Sequence, residues 1–308
     1  MSTAYISHRD SLEHYMGEYH PESPDRVKAI EDQLILSRIE PFLTYLDAPL
    51  ATESQLELVH TKEHIKNIQM FVHENEYRVI DSDTKMNPHS YQAALRSVGA
   101  SITAVDKVMS GEVKNAFACT RPPGHHAEPN RAMGFCFFNN IAIAAKYALE
   151  KYSLQRVAII DFDVHHGNGT EMAFKDDSRV LMCSFFQHPL YPYSEVHENS
   201  PNMLNTPVPA YTDGKVIRQL VETQWLPKLR EFKPEFIFIS AGFDAHREDE
   251  LGQMGLVEAD YAWITRQLMN IADEYSHGRI VSCLEGGYHL SALARSVVAH
   301  LKELADLG

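Results

Sequence analysis

The stretch Arg156-Val-Ala-Ile-Ile160-Asp161-Phe-Asp163-Val-His165-His166-Gly-Asn168-Gly-Thr170 decides how this chain folds. Its first half, through Ile160, is apolar and β-branched, the composition of a strand buried on both faces. Two carboxylates and two imidazoles then crowd together, Gly167 to Gly169 follow, and a helix is predicted to start near Thr170. In open α/β sheets, ligands bind just beyond the carboxyl ends of the strands. Asp163 and His165 are two apart, so an extended backbone points both to the same side. The cluster is therefore a place where a metal can be held. A merely solvated strand end tolerates polar residues but has no need of this combination.

Working outward, four more apolar runs have strand length: residues 116–119, 180–184, 236–239 and 280–284. Between these runs and the one at 157–160 the spacing predicts helices over 90–110, 141–150, 215–225 and 261–274, with Pro227 ending the third. A last helix is predicted where Leu290, Leu293, Ala294, Val297, Val298, Leu301 and Leu304 recur at helical spacing. Strands alternating with helices imply right-handed crossovers, hence an α/β fold with a central parallel β-sheet and helices on both faces. Each strand then runs into polar residues: Thr120-Arg-Pro-Pro-Gly-His125-His126, the Asp161 cluster, Ser184 with Gln187-His188, Ala241-Gly-Phe-Asp244, and Glu285-Gly-Gly-Tyr288. Parallel strands gather all five along one edge of the sheet.

Composition narrows the function. With 308 residues, 44% of them hydrophobic, the chain can bury a large core, and one domain over 1–308 is predicted. No apolar run approaches the ~20 residues that span a bilayer, and the first residues lack a signal-peptide pattern. A soluble, cytoplasmic protein is expected, with no membrane contact. The four cysteines form no Cys-x-x-Cys pair and are expected to be reduced, buried thiols. A net charge of −14 argues against nucleic acid as partner. It is compatible with cationic ligands such as Lys-rich peptides or polyamines, and equally with ordinary acidic solubility.

Together the loops supply a hydrolytic kit. Asp163, His165 and Asp244 offer two oxygens and a nitrogen, leaving a coordination position open as catalytic sites do. A divalent metal there acidifies water and polarises a carbonyl; the donor set accepts zinc, iron(II) or cobalt(II). One of His125 and His126, held after Pro122-Pro123-Gly124, can act as general base and then acid. Asp161 can fix the tautomer of a histidine in that pair. Tyr288, after Gly286-Gly287, can present its hydroxyl to an oxyanion. Phe135, in the aromatic segment from Gly134 to Asn140, can wall a narrow channel. The chemistry is metal-assisted hydrolysis of an amide.

The chain resembles the zinc-dependent histone deacetylases and deacetylase-like amidohydrolases of the arginase-deacetylase fold. The resemblance rests on His20-Pro-Glu-Ser-Pro-Asp-Arg26, Arg121-Pro-Pro-Gly-His-His126, Gly134-Phe-Cys-Phe-Phe-Asn-Asn140, Asp161 to Thr170, Ser240-Ala-Gly-Phe-Asp244 and Leu284-Glu-Gly-Gly-Tyr288, in family order over nearly the whole chain. It implies that Asp163, His165 and Asp244 bind zinc, that His126 is the general base and acid, and that His125 is an electrostatic histidine paired with Asp161. Tyr288 becomes the oxyanion-stabilising tyrosine. Gly134, Phe135 and Tyr191 line the substrate tunnel, and Asp161, Asp163, His165, Ser184 and Phe185 hold a potassium ion. The implied substrate is an acyl-lysine peptide or protein, or a small acylated amine such as an acetylpolyamine. A silent acyl-lysine binder would normally lack part of this set, and a two-manganese ureohydrolase would need more carboxylates.

Three departures bear on subclass and substrate. Asn168 stands where class I enzymes carry an aspartate, as in class II and bacterial relatives. The loop Leu190-Tyr-Pro-Tyr-Ser-Glu195 replaces a Pro-Gly-Thr-Gly pattern. Residues 87–91 offer no carboxylate where many relatives place one to grip the substrate backbone. Outside the cluster, His60, His64, His73, His277 and His300 are expected to be solvated, and His8, His14 and His20 to form a loop near the pocket mouth. His188 and His197 fall in the loop after the third strand. Glu285 is expected to pack or hydrogen-bond beneath its loop, and residues 246–250 to be a solvated loop; His166 has no assigned role.

Overall fold

The computed structural model describes residues 2–70, 77–194 and 200–308. Its strands are β1 (Thr3–Ser7), β2 (Leu43–Asp47), β3 (Arg78–Val79), β4 (Lys85–Met86), β5 (Asn115–Ala118), β6 (Val157–Asp161), β7 (Val180–Gln187), β8 (Met203–Val208), β9 (Phe236–Ala241) and β10 (Ile280–Leu284). Eight form one sheet in the order β2-β1-β5-β10-β9-β6-β7-β8, with every pair parallel. The short β3 and β4 pair antiparallel beside it.

Five of the eight strands are those predicted from apolar runs. Their continuous hydrophobicity has a direct cause: Ala158 and Ile160 of β6 pack into one core layer, and Val157 and Ile159 into another. The first layer includes buried side chains of helices Asp25–Leu36, Glu258–Tyr275 and Leu290–Leu304. The second includes those of helices Ser90–Met109 and Asn140–Lys151. The three unpredicted strands lie toward the sheet's edges. β2 alternates buried and exposed residues too briefly to stand out, and β8 contains Pro207, which an edge strand tolerates.

Pro227 does not end its helix. Helix Gly214–Leu220 passes through one wide π turn, Val221–Trp225, into helix Leu226–Phe232. Pro227 sits in the first turn after the bulge, where a missing N–H costs little. Trp225 thereby stacks on Phe185, rings 5.8 Å apart.

The solvated histidines are also corrected. His60, His64 and His300 are buried because each has built-in partners. His60 Nε2 accepts from the Asn139 N–H at 2.9 Å, and His64 Nε2 donates to Phe137 O at 2.8 Å. His300 lies between Thr265 Oγ1 (2.7 Å) and Ser282 Oγ (3.0 Å). His277 and His188 are exposed; His73 and His197 lie outside the described residues. The four cysteines are free and buried. Among the described residues no helix is long and apolar enough to cross a membrane.

Candidate active site

Register brings the strand ends level: Asp161 stands opposite Ser184 on β7 and Ser240 on β9, and Leu284 opposite Ala241. The residues that follow these ends meet. Asp163 Oδ1 accepts the His165 backbone N–H at 2.9 Å and lies 3.0 Å from His165 Nδ1. Asp163 Oδ2 accepts the Gly286 N–H at 2.8 Å, and Asp244 Oδ1 the Val164 N–H at 2.8 Å. One ligand atom from each of Asp163, His165 and Asp244 lies within 4.8 Å of the others.

These residues fit a divalent cation. Asp244 Oδ2 is buried with no hydrogen bond, 3.2 Å from His165 Nδ1. Burial, and next the charge of Asp163, push Asp244 up to about 7, a repulsion that a cation would relieve. A side chain at Gly242 would collide with Asp163, and one at Gly286 with both Asp244 and Asp163, so both positions need glycine for space.

His125 and His126 pack ring to ring with centroids 4.0 Å apart, yet their surroundings differ. Nδ1 of His125 donates to Asp161 Oδ2 at 3.0 Å, and Nε2 lies 3.7 Å from Asp163 Oδ2. Burial works against its charge, but Asp163 and Asp161 raise it well above the usual imidazole range. Nδ1 of His126 donates to Asn168 Oδ1 at 2.9 Å. Burial, then His125 and His165, hold it well below that range. Two neighbouring imidazoles with pKa values driven apart are suited to different jobs: a cation at His125 and a neutral base at His126.

A cleft of about 210 Å³ opens onto the group, lined by Asp83, His126, Gly134, Phe135, His165, Leu190, Tyr191, Tyr193, Leu251 and Tyr288. Gly134 has φ +56°, and a Cβ there would strike the His126 ring. Phe135 follows at φ +68°, a left-handed conformation costly for an aromatic residue. Its N–H is held by Thr84 Oγ1 at 3.0 Å. The rings of Phe135 and Tyr288 meet edge to face at 5.9 Å, and Tyr191 stands 5.2 Å from His126.

Comparison with known proteins gives one answer. The histone deacetylase domain family matches residues 20–304. The chain belongs to the histone deacetylase family. It is 40% identical to an uncharacterized protein of Synechocystis, covering 98% of this chain and 99% of that one. A probable deacetylase of Archaeoglobus fulgidus is 36% identical over 94% of this chain and 82% of its own. The crystal structure of the HDA15 HD domain superposes with a TM-score of 0.93 at 33% identity, covering 99% and 90% of the two chains. The fold is thus the arginase-deacetylase fold, and the protein is a hydrolase of the histone deacetylase family.

Within that family frame, several sequence expectations change. The rim does carry a carboxylate: Asp83 lines the cleft, contributed by the β3–β4 turn rather than by residues 87–91. The three N-terminal histidines separate. His20 stands behind the cleft wall, bonded to Asp83 O at 2.9 Å and edge-on to Phe135 at 4.7 Å. His14 is buried between Ser90 Oγ (2.8 Å) and Glu22 Oε2 (3.3 Å), and His8 pairs with Asp10. The 246–250 turn is not simply solvated, for Asp249 is buried and accepts the N–H groups of Tyr288 (2.6 Å) and His289 (3.0 Å). Glu285 does hydrogen-bond, but beneath the loop after β5 rather than its own, accepting from Gly124 N (2.7 Å) and His125 N (3.0 Å). His166 hydrogen-bonds Glu171 and packs on Phe186.

Sequence reasoning missed Asp83, Asp249 and the buried group Glu22, Arg26 and Arg121. Only the quoted motifs around Arg26 and Arg121 hinted at the last. Arg26 donates to Gly287 O at 2.6 Å and lies over the Tyr288 ring at 4.9 Å. At the expected potassium positions, Ser184 faces Asp161 across the β6–β7 pair and donates to Asn205 Oδ1 at 2.8 Å.

Proposed function

We propose that the protein is a zinc-dependent deacylase that hydrolyses the amide of an Nε-acyl-lysine side chain. The observation that carries this reading is the lining of the cleft. Phe135, Leu190 and Tyr191 put apolar surface in the same cleft as His126, His165 and Tyr288. Such a lining suits the four methylenes of lysine, and the Asp83 carboxylate in the same cleft suits a backbone N–H of the substrate.

Asp163, His165 and Asp244 would hold the zinc, and Asp161, Ser184 and Phe185 would contribute to a potassium site beside it. When bound, zinc supplies Lewis acidity, making water nucleophilic near neutral pH and polarising the acyl carbonyl. His126 Nε2 takes the proton of the attacking water, because its Nδ1 is occupied by Asn168. Tyr288 donates its hydroxyl hydrogen bond to the oxyanion. His126 then returns the proton to the departing lysine amine as the C–N bond breaks. His125, whose charged form Asp163 and Asp161 favour against burial, would add positive charge beside the developing negative charge.

A panel of acetyl-lysine peptides, longer acyl-lysines and N-acetylpolyamines, compared by kcat/KM with the zinc-loaded protein, tests the reading. The acyl-lysine peptides should be cleaved best, and Asp163→Ala should lose both bound metal and turnover. Cleavage of polyamines alone, or full activity in the metal-free Asp163→Ala protein, would overturn it.

A further inference from the structure

Asn168 faces His126 with an amide, and an amide is ambiguous. Its oxygen and nitrogen are alike in size, and a half-turn of the group exchanges an acceptor for a donor. With Oδ1 toward His126, Nδ1 carries the proton and Nε2 is the free base. With Nδ2 toward His126, Nδ1 must be bare, and the proton moves to Nε2, where the reaction needs a lone pair.

What sets the rotation lies on the far side of Asn168. Its Nδ2 donates to Glu128 Oε1 at 2.9 Å, with Met133 Sδ at 3.4 Å and His126 O at 3.5 Å. All three neighbours are acceptors, and a carboxylate can only accept. Glu128 is itself anchored: its N–H donates to Arg131 O at 2.9 Å, and its carbonyl accepts from His60 Nδ1 at 3.1 Å. Its side chain and that of Asn168 meet at a separate cavity of about 120 Å³, which His166, Glu171 and Lys175 also line.

We propose that Glu128 is a positioning residue for the general base, fixing the amide of Asn168 and through it the tautomer of His126. The chain Glu128–Asn168–His126 then does with two hydrogen bonds what a directly paired aspartate does with one. The inference rests on the deacylase reading for its rate effect, but not for its effect on the tautomer.

The test uses the zinc-loaded enzyme, an acetyl-lysine peptide and ¹⁵N-histidine NMR. Glu128→Ala should lower kcat about tenfold, the scale for outer-sphere partners, with KM and zinc content unchanged. The single Nδ1–H tautomer of His126 should become a mixture. Asn168→Asp alone should also be slow, because the new carboxylate would face that of Glu128 across the present 2.9 Å hydrogen bond. Adding Glu128→Gln to Asn168→Asp should recover most of the lost rate, since the glutamine donates to the new carboxylate. Unchanged kcat and an unchanged tautomer in Glu128→Ala, or no recovery in the double variant, would overturn the proposal. If the wild type cleaved no acylated amine, the deacylase reading would fall, while the tautomer would still decide the role of Glu128.

Discussion

Tyr288 is gripped from two directions, by Asp249 at its backbone N–H and by Arg26 over its ring. Neither contact involves the hydroxyl, so the phenol is aimed by its neighbours and its O–H is left for the reaction. Tyr288→Phe should therefore reduce kcat by about 10²–10³, the scale of losing one oxyanion donor, with metal content by elemental analysis unchanged. Asp249→Ala removes an acceptor that serves two backbone N–H groups. It should lower kcat in the same direction but less, and hydrogen exchange at the Tyr288 and His289 amides should quicken. Full activity in Tyr288→Phe on every cleaved substrate would remove the tyrosine from the mechanism.

At the scale of elements, the start of helix Asp25–Leu36 is tied to the loop after β5 through one carboxylate. Glu22 accepts from Arg26 Nη1 at 3.0 Å and Arg121 Nη2 at 2.7 Å, all three side chains being buried. Arg121 also donates to His14 O at 3.1 Å, so the N-terminal segment joins the same knot. Burial opposes ionisation of Glu22, yet Arg121, His14 and Arg26 hold it well below the usual carboxylate range. Because the folded-state pKa is depressed, this stabilisation is complete above the ordinary value of 4.5 and is lost as pH falls further. Glu22→Gln leaves two buried guanidiniums undercompensated. Urea unfolding at neutral pH should show a loss of about 3–5 kcal/mol. A loss under 1 kcal/mol would mean that the arginines find other partners.

Over the whole molecule, buried neutral histidines add a second pH response. Burial lowers both His60 and His300 to about 3 from the ordinary 6.5. Between those values the unfolded chain binds protons that the folded one refuses, so stability falls as pH drops from 6.5 toward 3. Each such histidine contributes a slope of about 1.4 kcal/mol per pH unit. Unfolding free energies measured across that window should show it, and His300→Asn should flatten the slope by about one proton. An unaltered slope would place the response elsewhere.

Much of this architecture is legible in one dimension. A strand buried on both faces must be apolar at every position, so β6, β7, β9 and β10 announce themselves, and the polar residues just beyond them mark the site. The donor set Asp163, His165 and Asp244 follows from the same logic. What the sequence by itself could not decide are matters of distance between remote segments. The edge strands β2 and β8 carry weak patterns because only part of each is covered. Asp83, Asp249 and Glu128 look like ordinary surface acids, and become supports of the site only when a turn or loop is folded against it. His60 and His300 look solvated until packing supplies their partners. The chain's local periodicity determined the sheet and its reactive edge; tertiary contact decided which acids face the cleft, since a carboxylate's role depends on what it meets.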